Sequence, residues 1–119
     1  YLARDLVCVL ADESQVIHCQ PNLEKIKQLD GLLCHITAIG TKYDTVSRSF
    51  APKLSIAEDP VCGSGHCHII PVMASKLGKH DLISYQASKR GGELYCHLEN
   101  GRIAMAGYAV LYAESTLKI

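Results

Sequence analysis

The stretch Glu58-Asp59-Pro60-Val61-Cys62-Gly63-Ser64-Gly65-His66-Cys67-His68-Ile69-Ile70-Pro71-Val72-Met73-Ala74-Ser75-Lys76-Leu77-Gly78 is a loop running into a helix. The helical part reads from His66 to Lys79. Ile69, Ile70, Val72, Met73, Ala74 and Leu77 form no single narrow stripe; they wrap much of the circumference. A helix that is apolar on most sides is a buried one. Pro71 inside the pattern predicts a kink, or a start later than the glycines suggest. Gly78 marks the end.

Outward from this helix the chain reads as strands. Asp5 to Ala11, with Leu6, Val7, Val9 and Leu10, predicts a buried strand, and Val16 to Cys19 a short continuation. Pro21-Asn22 opens a second helix: Asn22 suits the N-cap, Glu24 the first turn, and Leu23, Ile26 and Leu29 one face, with Gly31 closing it. Leu32 to Ile39 and Tyr43 to Phe50 are further strands, the latter marked by Val46, Arg48 and Phe50, and Pro52 to Pro60 is a loop. Beyond Gly78, strands are expected at Leu82 to Ala87, Glu93 to Glu99 and Arg102 to Glu114, the last broken near Gly107. Arg90-Gly91-Gly92 and Glu99-Asn100-Gly101 are hairpin signals, Asn-Gly being the stronger. The expected fold is α+β: a curved, mostly antiparallel sheet or barrel wrapped around one buried central helix, in a single domain over residues 1–119.

Composition narrows the function classes. Apolar residues make up 48% and charged residues 20%, a globular rather than a disordered balance. Twelve basic residues match twelve acidic ones with no basic stripe, which argues against nucleic acid as the main partner. The apolar runs are far too short for a helical membrane span. Tyr1 is not an initiator methionine and nothing near it resembles a secretory signal, so the chain reads as a fragment or a processed product, and a cytoplasmic location is expected. Six cysteines would allow three disulfides. Cys8, Cys34 and Cys96 sit in strand patterns, where cysteine serves as a small buried hydrophobe, and reduced thiols are the preferred reading.

The chemistry is expected just before the helix. Gly63 and Gly65 let backbone approach a ligand closely. Unpaired N–H groups and a partial positive charge at the helix start suit a carboxylate or phosphate. Ser64 is placed to cap the helix or to bond the ligand. Asp59, held extended by Pro60, is either a solvated loop carboxylate or an acid/base beside the anion site. Cys62 near the same helix end is expected to have a lowered pKa. His66 is a candidate to orient a ligand, shuttle a proton or stabilise the loop. Cys62, His66, Cys67 and His68 form a dense cluster. Their spacing is poor for zinc, since adjacent Cys67 and His68 point about a third of a turn apart. No metal and no cofactor are expected.

Arg48-Ser49-Phe50-Ala51-Pro52, then Glu58-Asp59-Pro60-Val61-Cys62-Gly63-Ser64-Gly65-His66, resembles the signature R-x-F-A-P … E-D-P-x-T-G-S-A-H of the PhzF (phenazine biosynthesis-like) isomerase family. Gln86-Ala87-Ser88-Lys89-Arg90-Gly91-Gly92-Glu93-Leu94 resembles its Q-x-S-x-R-G-G-E-L motif, and Arg102, Gly107, Ala109 and Val110 fit its final strands. The likeness runs in order from Arg48 onward. It implies a diaminopimelate epimerase-like fold of two similar domains, each a sheet around a central helix. A carboxylated substrate binds in the cleft between the two helix starts. This chain corresponds to the C-terminal domain.

By the same resemblance, a glutamate of the N-terminal domain is the main acid/base. Asp59 and Ser64 are supporting catalytic residues, and Gly63, Ser64, Gly65 and His66 contact substrate. The implied partners are a small carboxylated metabolite and the N-terminal domain, with a homodimer possible. This chain has Cys62 where the family usually has threonine and Gly65 where it has alanine. Cys-Gly-Ser-Gly resembles the Cys-Gly-Thr-Gly of cysteine-dependent epimerases on this fold. Cys62 as a thiolate base is therefore one alternative, and a non-catalytic binding protein is another.

Overall fold

The computed structural model describes residues 1–118. Its elements are β1 (Leu6–Val9), α1 (Glu13–Ile17), α2 (Leu23–Lys27), β2 (Cys34–Ile39), β3 (Thr45–Ala51), β4 (Ile56–Asp59), α3 (Gly63–Leu77), β5 (Asp81–Gln86), β6 (Gly92–Glu99) and β7 (Arg102–Ala106), with a 3-10 turn at Pro52–Leu54. All seven strands join one sheet in the order β1-β2-β3-β5-β6-β7, and β4 pairs with β3 off that path. The β1–β2 and β3–β5 pairings are parallel; the other four are antiparallel. The architecture is α+β, as expected. The sheet is open, however, not a closed barrel: β1 and β7 lie at opposite ends of the strand order.

Local chemistry accounts for the elements. Asn22 caps α2, its Oδ1 accepting from Lys25 N at 3.0 Å. Asp12 caps α1 in the same way, accepting from Gln15 N at 2.9 Å. The strand expected at Val16 to Cys19 does not form: Val16 and Ile17 are the last turn of a short helix capped by Asp12. The expected loop from Pro52 to Pro60 includes the 3-10 turn and β4. The Asn100-Gly101 hairpin forms as read, with φ of 50° and 72° at its two turn residues. β7 stops at Ala106, short of the expected Glu114. A strand needs a neighbour for its backbone groups, and residues 107–118 pair with none among the described residues.

The helix α3 starts at Gly63, earlier than expected, and runs through Pro71 to its C-cap Gly78, where φ is 64°. Ile69, Ile70 and Met73 are fully buried with Ala74 against Val7 of β1, Leu82 of β5, and Leu94 and Cys96 of β6. Burying each large side chain here contributes about 1.5–3 kcal/mol. One apolar cluster thus joins the helix to strands from both halves of the sheet. The expectation of burial on most sides is corrected. Cys67, Pro71 and Ser75 are exposed, so in this chain α3 has one covered side. The other sheet face carries a second cluster, Val16 of α1 on Ile36, Ala38, Val46 and Phe50.

Candidate active site

The face of β2, β3 and β5 beneath the first half of α3 is polar. His35, Thr37, Thr45, Ser47, Ser49, Ser84 and Gln86 are all fully buried there. Register explains their gathering: His35 pairs with Ser49, Thr37 with Ser47, Thr45 with Ser84 and Ser47 with Gln86. Along β5 the same face changes from Leu82 to Ser84 to Gln86, so the helix rests on an apolar floor at one end and a hydrogen-bonding floor at the other. Each group is satisfied: Thr37 and Thr45 hydroxyls meet at 2.7 Å, and no buried side-chain N or O lacks a partner among the described residues.

That floor holds the loop from Glu58 to His66. Gln86 Oε1 accepts from Cys62 N at 2.7 Å, and its Nε2 donates to Asp59 O at 2.5 Å. Ser88 Oγ donates to Pro60 O at 2.6 Å and accepts from Gly91 N at 3.1 Å. The second sequence motif is therefore a clamp on the first. Gly92 is equally tied to the loop, since a Cβ there would run into Val61 Cγ2, whereas one on Gly91 would meet the Tyr85 hydroxyl. On the opposite face, Arg48 donates to both Glu58 oxygens at 2.7 and 2.9 Å, and to Cys19 O at 2.7 Å, tying β4 to the end of α1.

Cys62 is the N-cap of α3, its Sγ accepting from Gly65 N at 3.3 Å. The cap role suggested for Ser64 belongs to Cys62. The thiol is buried, and burial pushes its pKa up. Hydrogen bonds from Ser64 and the Gly65 N–H pull against that rise, and the Asp59 carboxylate adds to it. The expected lowering by the helix dipole is thereby corrected. Ser64 is exposed, with its Oγ 3.7 Å from Cys62 Sγ. Asp59 is half-buried, and its Oδ1 accepts from Val61 N at 3.1 Å. Gly63 is exposed, and a Cβ there would meet nothing within 4 Å among the described residues. Gly65 is the opposite case, since its Cβ would fall 2.6 Å from His35 Cε1.

His66 points away from the surface. It is fully buried, with Nδ1 2.7 Å from Cys62 O and Nε2 2.9 Å from Ser84 Oγ. The carbonyl can only accept, so Nδ1 carries the proton and the serine donates to Nε2. Burial holds the ring below its ordinary pKa, and therefore neutral. Its geometry braces the first turn from below and leaves it no open side toward a ligand. The four-residue cysteine–histidine cluster diverges: Cys62 and His66 turn inward, Cys67 is exposed, and His68 Nε2 lies 3.4 Å from Asp5 Oδ2.

Asp5 and His35 were not singled out from the sequence. Asp5 is buried and takes hydrogen bonds from Arg4 at 2.6 Å, His35 Nε2 at 3.2 Å and Leu33 N at 3.3 Å. His35 Nδ1 accepts from Ser49 Oγ at 2.9 Å. The available signal was a charged residue at the mouth of an apolar strand, which is seldom buried unless paired. An open cavity of about 660 Å³ lies beside the loop, lined by Val61, Gly63, Arg90, Glu93, Met105 and Tyr108 among others. Asp59 and Ser64 do not line it.

The phenazine biosynthesis-like protein model matches residues 3–115. The chain belongs to this family. It is 42% identical over 114 residues to a Pseudomonas aeruginosa protein named as an uncharacterized isomerase, covering 96% of this chain and 44% of that one. It is 40% identical over 105 residues to mouse phenazine biosynthesis-like domain-containing protein 2, covering 82% of this chain and 35% of that one. Its fold superposes on a crystal structure of a PhzF family protein from Enterococcus faecalis with a TM-score of 0.90 and 46% identity, over 95% of this chain and 44% of that one. The chain thus spans less than half the length of these relatives, and the resemblance from Arg48 onward extends across the first forty-five residues as well.

Proposed function

We propose that residues 1–119 form the C-terminal domain of a PhzF-like isomerase that moves a proton on a small carboxylated metabolite. The observation that carries this is the open first turn of α3. Gly63 and Ser64 are exposed, nothing among the described residues fills the space over Gly63, and the Asp59 carboxyl lies near enough to act on the Cys62 thiol that caps the turn. Backbone N–H groups and the helix dipole favour a carboxylate there. Ser64 supplies a hydroxyl to the substrate's polar groups, and Asp59 binds or polarises it. Gly65 and His66 act from below, by letting the helix sit low and by bracing it.

In this reading the principal acid/base, a glutamate by family resemblance, comes from the N-terminal domain, and this chain alone does not turn over. That domain faces the first turn of α3 across a cleft. No cofactor takes part. The free state of all six cysteines fits a cytoplasmic protein.

The alternative of Cys62 as a thiolate base is less favoured, because its sulfur caps the helix and burial pushes its pKa up. The deciding experiment uses the full-length protein with both halves, incubated with candidate carboxylic acids in D2O, reading isomerisation and deuterium incorporation. Asp59→Asn and Ser64→Ala are each expected to lower kcat/KM by about 10²-fold or more, and Cys62→Ser to leave turnover largely intact. Unchanged turnover in both of the first two variants overturns the site. Loss of deuterium incorporation in Cys62→Ser alone transfers the role to the thiol. A protein with no turnover on any acid, yet saturable binding, is the non-catalytic alternative.

A further inference from the structure

We propose that Gln86 is a positioning residue for this site, setting where Asp59 stands relative to the first turn of α3; the proposal rests on the reading that Asp59 and Ser64 handle substrate. Gln86 is fully buried, and its single carboxamide spans the turn at Pro60-Val61. One end receives the Cys62 N–H at 2.7 Å; the other donates to the Asp59 carbonyl at 2.5 Å. These two partners also fix the orientation of the amide, because the carbonyl needs a donor and the N–H an acceptor. A planar group with one donor and one acceptor holds both the separation and the mutual angle of the β4 end and the α3 start.

No other side chain of this reach does this while neutral at all ordinary pH. An ionised glutamate has no donor, lysine and arginine have no acceptor, and leucine and methionine lack both functions of an amide. The residue is itself anchored as the last of β5, paired with Ser47 of β3 and Gly92 of β6. Sheet geometry is thus transmitted to the loop through one buried amide. Ser88 adds a second tether at Pro60 O. Placement on this scale matters, since an error of about 1 Å at reacting groups can cost about 10²-fold in rate.

Gln86→Glu tests the idea with almost no change in shape. Ionised, the carboxylate sets an acceptor against the Asp59 carbonyl; protonated, it regains the donor. Burial and the facing carbonyl raise the pKa of such a carboxyl, bringing the change within reach. Amide hydrogen exchange on this chain is read at Cys62 and Gly65 in the loop and at Leu94 and Cys96 in β6, each relative to the unmutated chain at the same pH. At about pH 8, Gln86→Glu should lose about tenfold protection at the loop amides with β6 held within about twofold, and should recover toward about pH 5. Gln86→Leu should lose it at every pH. If Gln86→Leu does not fold, the pH comparison on Gln86→Glu decides alone.

Loop protection that stays unchanged, falls equally in β6, or shows no recovery in acid overturns the proposal. In the full-length protein, the kcat ratio of Gln86→Glu to the unmutated enzyme should follow the same pH course with little change in KM. A flat ratio overturns the positioning role even if the loop loosens. Should the unmutated full-length protein show no turnover, the functional reading fails while the exchange experiment still decides on Gln86.

Discussion

Cys62 occupies a position where serine, threonine, aspartate or asparagine commonly sits, and it performs the same task through sulfur. Cys62→Ser is expected to keep the cap, and Cys62→Ala to cost about 0.5–1 kcal/mol in urea unfolding, the low end of the range for caps. Equal stability of all three would show that the sulfur contributes nothing. In the folded chain the Cys62 thiol should react more slowly than exposed Cys67 with an aromatic disulfide reagent, followed by peptide mapping. Gly65 is fixed by a different constraint. A Cβ would fall 2.6 Å from His35 Cε1, so Gly65→Ala is expected to destabilise by about 1–3 kcal/mol. The cost should shrink when His35 is also truncated, a coupling that a double-mutant cycle measures. A purely additive cycle would remove His35 as the cause. The glycine was visible in the sequence, but its reason was not, because His35 lies thirty positions away.

At the scale of elements, α3 rests on a sheet face that is polar at one end. Burial holds His35 and His66 below their ordinary value of 6.5. The unfolded chain takes up protons near that value and the native chain does not. Stability from this source is therefore complete above about pH 6.5 and is lost as pH falls through the lowered folded values. Asp5 behaves alike at lower pH. Burial alone would raise it, but the hydrogen bonds from Arg4 and His35 outweigh that and hold it below 3.8. Its contribution is present above that value and is lost as pH falls through the folded value. Denaturation midpoints measured from pH 8 downward should thus decline in two stages, the first beginning near 6.5. His66→Gln should lower the whole curve and flatten the first stage. A midpoint that stays level to about pH 5 would count against buried neutral histidines.

Across the whole molecule, the exposed apolar surface is concentrated in the tail. Tyr108, Val110, Leu111 and Tyr112 are each at least 80% exposed. Cys67, Pro71 and Ser75 of α3 are exposed as well. This chain by itself is expected to self-associate with rising concentration in sedimentation, and deletion of residues 107–119 should weaken that association. A strictly monomeric species at high concentration would contradict it. In the full-length protein the amides of residues 108–113 should gain exchange protection over this chain.

The sequence by itself determined the family, the α+β class and the helix that Gly78 closes. Those rest on local signals: motif spacing, hydrophobic period, and turn residues such as Asn100-Gly101. It misread Val16 to Cys19, because a short helix held by one aspartate cap shows almost no periodicity. It also carried the last strand past Ala106, because alternation reads the same whether or not a neighbour exists. Only the tertiary structure decided which loop residues face outward. His66 and Cys62 turn in, Asp59 and Ser64 remain near the surface, and Gln86 joins the two motifs. Strand register brings Gln86, Ser84 and Ser47 under the helix, and register links residues that the chain keeps far apart. The expected low pKa of Cys62 failed for the same reason: the helix end beside it was legible, but the burial that opposes the dipole was not.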